Sequence, residues 1–176
     1  MSVITEAKTR VSGAARAAGE RYAGGADRPL RGYAAAMGTY AGLVGAIAVA
    51  ARAAGAEVPD GLRPGDIGLA AVATHKLSRL LTRDPVTSPL RAPFTAYRGT
   101  EGPAELAEDA RGDGAQKTVG ELITCPFCAG VWIATGLTAG LIFAPRATRL
   151  AAGTLTALAG ADLLQYAHTW LDQAAG

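Results

Sequence analysis

Residues 122–145, LITCPFCAGVWIATGLTAGLIFAP, run for 24 positions between Glu121 and Arg146 without one charged side chain. About 20 apolar residues in a helix cross a hydrocarbon core of roughly 30 Å. A soluble surface helix shows a polar stripe every 3.6 residues, and this segment has none. Two more stretches are built alike. Residues 32–51, GYAAAMGTYAGLVGAIAVAA, are 20 uncharged positions between Arg31 and Arg52, and residues 150–171, LAAGTLTALAGADLLQYAHTWL, are interrupted only by Asp162. The competing explanation is a soluble Ala-rich bundle, with which a mean hydropathy of +0.18 is compatible. The charge-free lengths weigh toward the membrane.

Composition narrows the remaining classes. The 176 residues are one domain's worth, 49% hydrophobic but only 6% aromatic, so the apolar content is chiefly Ala, Leu, Val and Ile. Seventeen Lys and Arg against 15 Asp and Glu leave a net charge of +2, too little for a nucleic-acid footprint. Two cysteines exclude a disulfide-rich scaffold.

Between the first and the central span lies GDIGLAAVATHKLSRLLTRDP, residues 65–85. At 100° per residue His75, Lys76, Arg79 and Arg83 fall on one stripe, opposite Leu77, Leu80 and Leu81. A short, partly amphipathic membrane helix over 65–82 follows, its basic cytoplasmic face meeting headgroups. In the sharper alternative His75 and Arg79 face a polar cavity. The expected fold is therefore all-α: an integral membrane protein with three long transmembrane helices plus one short one. Residues 1–31 are expected as a flexible or surface-helical cytoplasmic tail, and 32–176 as a helical membrane domain with a cytoplasmic loop 83–118. The run 32–51 is longer than a signal-peptide core and reads as an uncleaved anchor.

Basic residues set the orientation. The tail carries Lys8, Arg10, Arg16, Arg21, Arg28 and Arg31, and the 79–117 region carries Arg79, Arg83, Arg91, Arg98, Arg111 and Lys117. The other connections hold only Arg52 with Arg63, and Arg146 with Arg149. Four crossings of the cell inner (cytoplasmic) membrane, with both termini and the loop cytoplasmic, satisfy the positive-inside rule. Within the loop, RDPVTSPLRAPFTAYRG (83–99) is expected to run extended along the interface, and TEGPAELAEDARGDGAQKT (100–118) to hold a short acidic helix started at Thr100 or the Pro103 turn and ended by Gly112 and Gly114.

HKLSRLLTRDPVTSPLRAPF (75–94), then GELITCPFCAGVW (120–132) and two apolar runs, resembles a bacterial family of small integral membrane proteins, domain of unknown function 1360. Some of its members are described as sporulation-related. The likeness covers roughly residues 65–170, implies a membrane protein and brings no activity or ligand.

Three readings of Cys125-Pro-Phe-Cys128 stay open. Glutaredoxin-like proteins use this tetrapeptide form at a helix start, where negative charge on sulfur is favoured, but the strands of that fold are missing. A zinc site would draw two ligands from Cys125 and Cys128 and need others, for which His75, Glu121 and His168 lie on the same side of the bilayer. Otherwise both cysteines pack as small hydrophobes. No cofactor beyond such a zinc ion is expected.

Asp162 is costly inside a span unless paired or neutral, and Gln165, Tyr166 and Thr169 share its face. It is expected either to hydrogen-bond a neighbouring helix or to serve an ion or proton relay. Gly38 with Gly42, and Gly136 with Gly140, permit close helix approach. No nucleophile–base pair, phosphate loop or cofactor fingerprint is present, which leans away from an enzyme. The leading expectation is a non-enzymatic scaffold or accessory subunit in contact with lipid, with a protein partner at loop 83–118 and a second copy of the chain as a further partner, and no nucleic acid. The alternatives are a membrane thiol-redox or metal-binding protein centred on the CPFC motif, and the Asp162 relay.

Overall fold

Pro64 opens helix α3, Pro64–Thr82, as a proline does best, in a first turn where its missing N–H has no helical partner to lose. The computed structural model describes residues 2–26 and 28–175. Before α3 come α1, Ser2–Ala23, and α2, Leu30–Ala53. After it a 3-10 turn at Pro85–Thr87 leads into the short α4, Ser88–Arg91. Strands β1, Thr95–Thr100, and β2, Leu106–Ala110, follow, then α5, Gly114–Ile123, α6, Pro126–Phe143, and α7, Pro145–Ala175.

Helix α3 packs against both α6 and α7, while α2 packs against α5 and α6. Direction follows from the ties between helices. Asp66 takes both guanidinium nitrogens of Arg149 at 2.7 Å, and Lys76 meets Asp162 at 2.7 Å, so α3 and α7 run the same way. The Tyr33 hydroxyl donates to Glu121 at the end of α5, and Tyr40 and Thr135 share a hydrogen bond of 2.8 Å. Tyr40 also meets Trp132 edge to face at 5.3 Å. Helices α2 and α6 therefore run together, opposite to α3 and α7.

The two strands overturn the all-α expectation. β1 and β2 pair antiparallel, with Tyr97 facing Glu108 and Ala96 facing Asp109. The acidic helix expected to end at Gly112 and Gly114 does not form: residues 106–110 pair with β1 as a strand, and Gly102 and Gly112, both at positive φ, turn the chain on either side of it. Alternation at period two then sorts the acids: Glu108 points inward to Arg91 and Asp109 outward to Arg98. Arg98 is the extra residue of a bulge between Tyr97 and Gly99. The expected extended run also differs, since residues 85–91 coil into the 3-10 turn and α4.

Of the described helices, α2 and α6 are long and apolar enough to cross a membrane. The 150–171 run lies within the 31-residue α7, where Gly, Thr, Gln, His and Asp dilute its hydropathy. The central span starts later than its charge-free run, because Thr124 and Cys125 break α5 from α6. Buried apolar positions among the described residues are Ala51, Ala73 and Ala152, whereas Arg91, Thr82, Ser78 and Thr118 are buried polar ones.

Candidate functional site

Cys125 is the cap residue of α6, in extended conformation at φ −104° and ψ 106°. Its Sγ accepts a hydrogen bond from the Cys128 N–H at 3.2 Å, satisfying one of the orphan donors that every helix start carries. Pro126 holds the first helical position, and both cysteines are half-buried free thiols. In front of this cap lies a cleft of about 580 Å3, walled by Arg79 of α3 and Arg83 just past its end, Glu101 and Glu105 of the hairpin, Cys125, and Tyr166 of α7. Phe127, between the cysteines, stands on the rim with 90% of its surface exposed. Cys128 is not part of the cleft wall.

The arginines are positioned from two sides. Arg79 donates through Nε to Glu105 at 2.8 Å, with a second contact from Nη2, and Arg83 pairs with Glu101. Leu106 N–H donates to the Arg83 carbonyl at 2.9 Å, so the hairpin is tied to the end of α3 by backbone as well. Behind it Arg91, 1% exposed, pairs with Glu108 at 2.5 Å and donates to the Leu81 carbonyl at 3.0 Å and to Thr87 at 2.6 Å. Arg91 thereby caps carbonyls near the end of α3 that have no helical donor. Its Nη2 is buried without a partner.

The predicted site residues separate into groups. Arg79, Arg83, Cys125 and Tyr166 converge on the cleft. His75 is exposed and outside it. Glu121 turns to α2, engaging Tyr33 and Arg28, the latter at 3.8 Å. His168 pairs with Asp172 one turn on, at 3.5 Å. Among the described residues no three His, Cys, Asp or Glu side chains converge as a metal site would require.

Asp162 has a partner that sequence reasoning did not name. Lys76 reaches it across the α3–α7 contact, keeping 15% of its own side chain exposed against 40% for Asp162. The signal was available: an acid within one apolar run and a base within another are each costly alone and cheaper together. Of the glycines proposed for close approach, Gly140 alone meets a neighbour, since an added Cβ would lie 2.6 Å from Thr148 Oγ1. At Gly38, Gly42 and Gly136 a Cβ would meet nothing within 4 Å. Other close approaches at glycine are Gly32 against Thr118 and Gly120 against the Phe94 carbonyl, with Gly130 at ordinary contact distance from Thr74.

A second cleft, about 680 Å3, lies at the opposite end, bounded by Glu57, Asp60, Arg63, Asp66 and Arg149.

A family model described as "Protein of unknown function (DUF1360)" matches residues 69–168, which take in the cleft, the Arg91–Glu108 pair, the Lys76–Asp162 pair and both cysteines. "Sporulation protein YjcA" of Bacillus subtilis (strain 168) is 35% identical over 71 residues, 39% of this chain and 60% of that protein. The chain thus matches less than two thirds of that relative's length. No solved structure matches.

Proposed function

The chain belongs to the family described as protein of unknown function DUF1360, and from that premise we propose a small multi-pass protein of the bacterial cytoplasmic membrane that works as a non-enzymatic scaffold or accessory subunit. The observation that carries this reading is the inverted distribution of polarity. No residue of α6 is buried within the chain, and of α2 Ala51 alone is, among the described residues. Met37, Val49, Val131 and Phe143 stand exposed on these two helices, while the buried side chains include Arg91, Ser78 and four threonines. In water such a surface invites aggregation, and against lipid it is in its proper solvent.

In this reading α2, α3, α6 and α7 cross in alternating directions. The tail 1–31, the loop 83–118 and the C-terminus then share the cytoplasmic side, as the positive-inside rule requires. The hairpin and α5 form a rigid layer there, offering Tyr97, Arg98 and Asp109 to a protein partner. Lys76–Asp162 is the internal tie of α3 to α7, which makes a helix-locking role for Asp162 better supported than a relay. The relative is named for sporulation, so we take spore formation as the first process in which to score a deletion phenotype.

Reporter fusions test the arrangement. A reporter after residue 176 is expected to read as cytoplasmic and one inserted near Pro59 as external, with the protein resisting alkaline extraction from membranes. An external C-terminus, or release into the soluble fraction, overturns it.

A further inference from the structure

We propose that the cleft before α6 is a thiol–disulfide exchange site, in which Cys125 attacks a disulfide presented from outside and Cys128 resolves the product. The two cysteines differ in access, as such a pair requires. Cys125 forms part of the cleft wall, and Cys128 lies a turn further into α6 and outside it. The Cys128 N–H already donates to Cys125 Sγ at 3.2 Å, so the first turn of α6 holds this sulfur beside the residue that resolves it. Helix geometry sets positions three apart about 5 Å from Cα to Cα, within the roughly 4.4–6.8 Å that a disulfide spans.

The cleft also suits a sulfur-bearing substrate better than an anion. Arg79 and Arg83 are neutralised by Glu105 and Glu101, so they offer no free positive charge to a phosphate. Phe127 and Tyr166 border the opening with apolar ring surface. Among the described residues no third His, Cys, Asp or Glu side chain joins the two cysteines as a metal site would require.

The exchange balances in two steps. Cys125 thiolate attacks one sulfur of R–S–S–R, forming Cys125–S–S–R and releasing one thiolate, which takes up a proton. Cys128 thiolate then attacks the Cys125 sulfur, closing the Cys125–Cys128 disulfide and releasing the second thiolate. The protein's dithiol gives up two electrons and two protons, and the incoming disulfide gains both. The shared chemistry is a disulfide, carried either by a low-molecular-weight thiol or by a protein. These steps require the cleft alone and are independent of membrane topology.

The test uses the full chain in membrane vesicles, with a chelator present throughout. Vesicles are incubated with oxidised glutathione or, in a separate arm, with a disulfide-bearing peptide, then acid-quenched and labelled with a mass-tagged maleimide. The expected result is simultaneous loss of both labels in the unsubstituted chain, regained after dithiothreitol. With Cys128→Ser, Cys125 should instead accumulate a mixed disulfide. With Cys125→Ser, Cys128 should react at least tenfold more slowly. The arm that reacts faster identifies the source of the disulfide. Two results overturn the proposal. One is thiols in the native unsubstituted chain that stay reduced while the denatured chain reacts. The other is a mixed disulfide with Cys128→Ser but no Cys125–Cys128 disulfide in the unsubstituted chain, which would be simple thiol capping.

Discussion

In the layer built from α4, β1, β2 and α5 the best-hidden side chain is an arginine, while in α6, apolar from end to end, no residue is buried at all. The layer gains its order from paired charges and satisfied carbonyls. Arg91 meets Glu108 and the end of α3, Gln116 donates to the Pro93 carbonyl at 2.9 Å, and Gly120 lets α5 lie against the Phe94 carbonyl. Helices α2 and α6 have few such ties: one shared hydroxyl contact and one edge-to-face ring pair. Order in the first region is specified within the chain. Order in the second is left to whatever surrounds it, which lipid supplies in the proposed reading.

Removing the buried charge should hurt the layer most. Arg91→Met leaves Glu108, 6% exposed, without its partner, and breaking a buried pair from one side costs about 3–5 kcal/mol. The expected outcome is rapid protease cleavage between residues 83 and 113 in detergent-solubilised protein, with α2 and α6 retaining their helical signal. Adding Glu108→Leu should recover most of the loss, because two apolar groups remove the unpaired charge. An Arg91→Met chain as protease-resistant as the original would show that the layer does not depend on this pair, and the contrast between regions would fail.

The Lys76–Asp162 tie lies between the two regimes, a charged contact within the helices. Asp162 keeps 40% of its side chain exposed, so the interaction is discounted for screening. Asp162→Leu should cost about 1–2 kcal/mol, chiefly by leaving Lys76 unpaired, and Asp162→Asn about half as much, because the amide still accepts a hydrogen bond. Thermal unfolding in detergent reads the difference. Equal effects of Leu and Asn would show that Lys76 finds water instead, and that Asp66–Arg149 is the charged tie that holds α3 to α7.

Much of this contrast was legible in the residues themselves. The charge-free runs 32–51 and 122–145 announced α2 and α6, and the basic stripe with its apolar first half over 65–82 announced α3 close to its observed bounds. The CPFC cap was legible because proline at a first helical position follows a capping residue. Illegible was every feature made by partners distant in sequence. Glu108 and Asp109 looked like one acidic helix face until Arg91 and Arg98 drew them to opposite sides of a strand. Glu121 sits one turn before Cys125 in the chain, yet Tyr33, 88 positions away, takes it. A local pattern fixes helix period and ends. The partner of a charge depends on tertiary approach, and that approach here ran through glycines 32, 120 and 140 and not through 38, 42 and 136.

Those unused glycines give the smallest expected effect and the finest test of the comparison. A Cβ at Gly42 meets nothing within 4 Å, whereas one at Gly120 would lie 2.5 Å from the Phe94 carbonyl oxygen. Gly42→Ala should therefore shift thermal stability of the detergent-solubilised chain by no more than about 0.5 kcal/mol, the range of substitutions that touch nothing. The outer face of α2 is apolar as well as open, so the same substitution should leave its membrane partition unchanged. A second copy of the chain seated on Gly38 and Gly42 would behave otherwise: an added methyl at a close helix crossing pushes the backbones apart. Cross-linking of Gly42→Ala chains in native membranes distinguishes the two. Unchanged cross-linked species with unchanged stability mean that α2 faces lipid at this position. Loss of a dimer band at constant monomer stability would mean that the face left bare within one chain is covered by another.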